Sequence, residues 1–114
     1  MAYMGNGKYP KKTEYRVVQL WSLLVLAARN QQILSYATVE RLTRIPKQAV
    51  GDYLGPIQAY CKRHKLPPLT VLVVKEETGL PGDGFTETAE GARERVFVFD
   101  WFKRKAPLPE DFSS

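Results

Sequence analysis

The side chains in this 114-residue chain with reactive potential are few, and most lie in its middle third. Cys61 is followed by Lys62-Arg63-His64-Lys65. Cations beside a thiol lower its pKa and favour the nucleophilic thiolate, and a nearby imidazole is the usual base for such a nucleophile. The helical period, however, puts Cys61 on the apolar side of its segment, which predicts a buried, inert thiol. His64 is the sole histidine. Set among lysines and an arginine, it reads as part of a solvent-facing basic cluster rather than as a general base.

Gly79-Leu80-Pro81-Gly82-Asp83-Gly84 lies between a strand and a helix, where phosphate loops also occur. It matches neither the Gly-x-Gly-x-x-Gly nor the Walker spacing. Leu80 to Asp83 fits a type II turn with Pro second and Gly third, so a structural turn is expected. Glu76, Glu77, Asp83, Glu87, Glu90 and Glu94 show no metal-site spacing. With one cysteine, neither an internal disulfide nor a cysteine-based metal site is available. No catalytic constellation remains, and no cofactor, metal or small-molecule substrate is expected.

A binding surface remains. The net charge of +5 is unevenly spread. Lys8, Lys11, Lys12, Arg16 and Arg29 stand against Glu14 alone up to residue 39, and Arg41, Arg44, Lys47, Lys62, Arg63 and Lys65 stand against Glu40 and Asp52 up to residue 65. From residue 66 onward acids outnumber bases. Positive charge gathered on one segment is the footprint of a nucleic-acid binder.

The elements that must position these residues follow from the apolar period. Met1 to Lys12 has no period and reads as a mobile basic arm. Thr13 to Arg29 is apolar around most of a helix at Val17, Leu20, Trp21, Leu24, Leu26 and Ala28, which predicts a central packing helix with Trp21 in the core. Ser35 is a plausible N-cap for a helix that ends before Pro46. Pro46 suits the start of a second helix with Ala49, Val50, Tyr53 and Leu54 buried and Lys47, Gln48 and Asp52 outward. Gly55-Pro56 is expected to break it, with Pro56 opening a third helix to His64, which Pro67-Pro68 stops. Leu69 to Val74 reads as a buried strand. Thr86 to Lys105 is ambiguous between strand and helix. The stripe Ala89, Ala92, Val96, Phe99 and Phe102, with acids early and bases late, favours helix. The expected fold is mainly α with a small β element, a winged helix-turn-helix over residues 13–105 between the arm and a Pro-rich tail at 106–114. The longest apolar run is too short for a bilayer and too interior for a signal peptide, so a soluble cytoplasmic protein is expected.

In its order of motifs, the stretch from about residue 15 to 103 resembles the DNA-binding domain of alkylguanine-DNA alkyltransferases and their alkyltransferase-like relatives. The resemblance rests on Val18 to Leu24 around Trp21, Ser35-Tyr36, Pro46-Lys47 with Ala49-Val50-Gly51, Leu66-Pro67 before Val71 to Val74, and Gly79, Gly82, Gly84 and Phe85. It implies a recognition helix near residues 47–54 that enters the minor groove, and a tyrosine at position 36 that helps rotate a base. Where that family has Pro-Cys-His-Arg, this chain reads Pro67-Pro68-Leu69-Thr70, so alkyl transfer by that mechanism is excluded. Gln48 stands where the family has the arginine that fills the vacated stack, and the Gly55 to Lys65 stretch is longer than the family's link. The Leu66 to Val74 and Thr78 to Gly82 blocks also resemble uncharacterised bacterial and phage proteins. The expected function is non-catalytic binding of duplex DNA through Tyr36, Lys47, Gln48 and Asp52, with Arg41, Arg44, Lys62, Arg63 and Lys65 on phosphates. The alternative is a protein-interaction module on the same scaffold, with the DNA surface reassigned; Asp52 on the recognition helix argues for it because a carboxylate repels phosphate.

Overall fold

The computed structural model describes residues 12–82 and 89–113. The expected arm up to residue 11, and Asp83, Gly84, Phe85 and Glu87, lie outside the described residues. The chain is mainly helical, with one small parallel sheet. Helix α1 spans Lys12–Arg29, strand β1 Leu34–Ser35, helix α2 Tyr36–Thr43, helix α3 Val50–Arg63, strand β2 Val73–Val74 and helix α4 Ala89–Val98. Short 3-10 turns cover Lys47–Ala49, Leu69–Leu72, Trp101–Lys103 and Pro109–Phe112. No helix among the described residues is long and apolar enough to cross a membrane.

α1 is the central packing element its composition predicts. Val17, Leu20, Trp21, Leu24 and Ala28 are buried, Leu26 of the expected set is exposed instead, and the helix touches α3, α4 and the turns at 69–72 and 109–112. Trp21 meets Tyr60 and Trp101 edge-on, with centroids 5.3 and 5.7 Å away. Edge-to-face contact is the geometry aromatic quadrupoles favour. The Pro-rich tail belongs to this core: Phe112 is buried 5.3 Å from the Tyr60 ring, and Arg63 donates to the Asp111 carbonyl at 2.9 Å.

Three elements differ from the sequence reading. Gly55-Pro56 does not break the chain, and α3 runs unbroken through Pro56. An interior proline costs about 3 kcal/mol. Against that, Val50, Leu54, Ile57, Tyr60 and Cys61 form one buried stripe, of which the three aliphatic residues alone contribute roughly 1.5–3 kcal/mol each when fully buried. Gly55 also lacks the Cβ that would collide with the proline ring and expel the preceding residue from helical geometry. The glycine read as a breaker is thus what lets the helix tolerate Pro56. Of the Gly55 to Lys65 stretch, the part up to Arg63 is the second half of this helix.

Leu69–Leu72 is a 3-10 turn, and only Val73–Val74 is strand. A fully apolar run has no period with which to choose between strand and buried turn. Here β1 offers only Leu34 and Ser35 as partners for Val73 and Val74, so the ladder cannot extend. Finally, α4 stops at Val98 rather than running to Lys105. The indole N–H of Trp101 donates to the Val96 carbonyl at 2.9 Å and closes the helix end. That turn buries Trp101 and leaves Phe102, expected on the buried stripe, 60% exposed.

Helix ends are closed with unusual residues. Gln31 (φ 54°) and Lys65 (φ 56°) occupy the left-handed region, each followed by a residue whose N–H reaches back to Ala27 or Cys61 at 2.8 Å. This is the Schellman arrangement, normally built with glycine. Arg44 (φ 66°) ends α2 in the same region.

Candidate functional site

Tyr36 is held by its neighbours on both sides. Ser35 ends β1, pairs with Val74, and caps α2 by accepting the Thr38 N–H at 3.0 Å. The first residue of α2 is therefore fixed relative to the sheet. Beyond β2 the chain doubles back: Gly79 donates to the Lys75 carbonyl and Lys75 to the Leu80 carbonyl, both at 2.8 Å, and Pro81 bridges Val74 antiparallel. Arg93 of α4 steadies this turn with a 2.6 Å bond to the Gly79 carbonyl. The turn brings Gly82 onto Tyr36 so closely that a Cβ at Gly82 would lie 2.5 Å from the tyrosine hydroxyl.

From α2 the chain passes to α3 through a braced corner. Thr43 donates its hydroxyl to the Val39 carbonyl at 2.7 Å and accepts the Ile45 N–H at 3.1 Å, while Arg16 of α1 donates to the Thr43 carbonyl. Lys47 and Gln48 then stand exposed on the 3-10 turn that opens α3.

Two clefts meet at Tyr36, Gly51 and Gly82. One, of about 510 Å3, is lined also by Lys47, Gln48, Lys75, Glu76 and Glu77. The other, of about 540 Å3, runs along α3 past Leu54, Gly55, Gln58, Ala59 and Lys62 to Thr70, Val73 and Pro81. Gly51, Gly55 and Ala59 recur every fourth residue and keep one face of α3 low; a Cβ at either glycine would meet nothing within 4 Å. The Thr70 hydroxyl, in a residue only 4% exposed, has no hydrogen-bond partner among the described residues.

The structure therefore brings together Tyr36, Lys47 and Gln48 on one cleft, and Tyr36 with Lys62 on the adjoining one. The other expected residues lie elsewhere. Arg41 lines a groove between α1 and α2, and Arg44 sits beside Thr13, Arg16 and Tyr53. Arg63 turns to Asp111 and lies 5.7 Å from the Tyr60 ring centroid. Asp52 and Lys65 are exposed but line neither cleft. Sequence reasoning missed Gln58, Thr70 and Gly82 as lining residues. The four-residue spacing of Gly51, Gly55 and Ala59 pointed to such a surface, and the expected break at Gly55-Pro56 hid it.

The electrostatics are mixed. Lys47 pairs with Glu76 at 3.9 Å, both side chains well exposed (51% and 39%), a geometry of small energetic consequence. Glu76 and Glu77 still place two carboxylates on the cleft that Lys47 lines. Cys61 is 1% exposed, and burial raises its thiol pKa from 9.0 to about 11, opposed by a backbone hydrogen bond from Leu69 and the charge of Arg104. Such a thiol carries almost no thiolate near neutrality. His64 faces outward, its ring 4.2 Å from that of Tyr60. Among the described residues no three His, Cys, Asp or Glu side chains gather as metal ligands would.

Comparison with protein-family models, curated proteins and solved structures returns no match.

Proposed function

We propose that this chain is a non-catalytic duplex-DNA-binding protein of winged helix-turn-helix type, similar to the alkyltransferase-like domains. In this reading α2 and α3 form the helix-turn-helix, the 75–82 turn is the wing, and the start of α3 is laid against DNA. The single observation that carries it is the meeting of Tyr36, Lys47 and Gln48 on one exposed cleft at the start of α3, with Lys62 on its continuation. Lys47 and Lys62 supply point charges for phosphates. Gln48 offers an amide that both donates and accepts, the chemistry that reads base edges. Tyr36, held against Gly82, presents a ring and hydroxyl whose position is set by the fold rather than by the ligand. Arg41 and Arg63 lie off these clefts, so they contribute to the surrounding potential rather than to contacts there. The test is binding of a fluorescein-labelled duplex by the Lys47→Ala and Lys62→Ala variants. Each is expected to weaken binding across unrelated sequences, whereas Gln48→Ala alters preference among sequences. Variants indistinguishable from the parent chain would overturn the reading.

A protein-interaction module on the same scaffold is the second reading. It draws on Glu76 and Glu77, which line the cleft beside Lys47, and on exposed Asp52, all of which repel phosphate. It predicts no salt-sensitive duplex binding at all.

A further inference from the structure

A second surface lies on the far side of α2. Along a helix that turns about 100° per residue, Thr38 and Leu42 project away from Tyr36, and both line a groove of about 490 Å3 between α1 and α2. Leu26 of α1 lines this groove and also a second one, of about 240 Å3, between α1 and the 101–106 segment. It is thus a ridge between two hollows. Leu26, Leu42 and Phe102 are 59%, 50% and 60% exposed, which brings three large apolar side chains to water on one continuous face. Contiguous exposed apolar surface of this kind marks an interaction site more often than chance exposure does.

The rim decides what fits. Arg29 and Arg41 line the first groove, Arg104 and Lys105 the second, and no carboxylate lines either among the described residues. A second copy of this chain docking by the same face would set these cations against their equivalents. The apolar residues flank hollows rather than forming a projecting tip, so the shape suits side chains inserted from a partner better than a bilayer surface. An α-helix of another protein matches both features: its apolar stripe packs into the grooves beside α1, as ridges of one helix pack into grooves of the next, and acids on its flanks meet the exposed Arg29, Arg41 and Lys105, Arg104 being held on Tyr60. We infer that the α1 face around Leu26 docks an acidic amphipathic helix of a protein partner. This surface is separate from the Tyr36 clefts and does not depend on whether they hold DNA.

The test is selection of a 16-residue random peptide library on the immobilised full chain, followed by anisotropy of the enriched peptides. The expected result is enrichment of acidic sequences with apolar residues at helical spacing, binding at least about tenfold more weakly to Leu26→Glu, since loss of a buried leucine anchor costs a factor of this size or more. Lys105→Glu should weaken the same peptides, and Leu26→Glu should leave duplex binding unchanged. No enrichment, enrichment of basic or unpatterned peptides, or binding indifferent to Leu26→Glu would overturn the inference. So would a homodimer in light scattering that Leu26→Glu disperses, which assigns the face to a second copy. Leu26-dependent binding to phosphatidylserine–phosphatidylcholine vesicles would likewise overturn it in favour of a membrane.

Discussion

Gly82→Ala perturbs the candidate site at its tightest point. An alanine Cβ there lies 2.5 Å from the Tyr36 hydroxyl, whereas ordinary contact begins at 3.4 Å, so the ring or the turn must shift by about 0.9 Å. The backbone on either side is held, so the hydroxyl end of the ring is what gives way. Tyr36 leads α2 directly from β1, and the turn is held by its own hydrogen bonds and by Arg93. Overpacking costs roughly 1–3 kcal/mol, and the low end applies where the far end of a side chain gives way. The next nearest tyrosine atom, Cζ, lies 3.5 Å away, an ordinary contact. In a Tyr36→Phe background the clash therefore disappears. Gly82 does not adopt the positive φ that the expected type II turn requires at its third position, so alanine there is then neutral or stabilising by up to about 1 kcal/mol through the unfolded chain. Urea unfolding of the four proteins of this cycle, followed by the fluorescence of buried Trp21 and Trp101, measures the coupling. We expect at least about 1 kcal/mol, with Gly82→Ala destabilising only when tyrosine is present. Effects that add to within about 0.3 kcal/mol would refute the close approach.

Other expectations follow from the same structure. Because the Cys61 thiol is raised from 9.0 to about 11 by burial, the folded state keeps its proton where the unfolded state loses it. This stability is fully present below pH 9.0 and is lost as pH rises to about 11, amounting to roughly 2–3 kcal/mol. The urea midpoint of Cys61→Ala should accordingly fall less steeply over that window than that of the parent chain, and parallel slopes would contradict the burial argument. Gln31→Gly relieves a left-handed residue at a Schellman end (φ 54°) and should raise stability by roughly 0.5–1 kcal/mol in the same assay; a loss of stability would count against that geometry. Glu76→Gln removes one carboxylate of the exposed Lys47 pair. It should shift folding stability by less than about 0.5 kcal/mol while tightening duplex binding, and unchanged or weaker binding would argue against a phosphate near Lys47.

Where local chemistry decides an element, the residues announced it. The apolar circumference of α1 put Trp21 in the core, Ser35 capped α2, and Cys61 fell on the buried stripe of α3. What was not legible depended on tertiary context. Gly55-Pro56 reads as a stop because each residue alone disfavours helix, yet the stripe continuing through Ile57 and Tyr60 overrides both. Leu69 to Leu72 has strand propensity and no period, and only the two-residue length of β1 decides against a ladder. Phe102 leaves the expected stripe for solvent and Trp101 is buried because α4 ends at Val98, where that indole from downstream closes it. The site was half legible for a related reason. Tyr36, Lys47 and Gln48 project from predictable positions at two helix starts. The directions of Arg41 and Arg63 follow from packing against α1 and from the docking of Asp111, which charge patterning does not encode.

Fluorescence anisotropy of a labelled duplex titrated with the full chain at several salt concentrations measures whether the two clefts at Tyr36 hold phosphates. Counterion release makes log affinity fall with log salt by about 0.9 for each phosphate neutralised. With Lys47 and Lys62 on the paired clefts, the expected result is salt-dependent binding whose slope shrinks by roughly 0.9 in Lys47→Ala and again in the double variant with Lys62→Ala. Absence of binding at low salt, or a slope untouched by both substitutions, would contradict it.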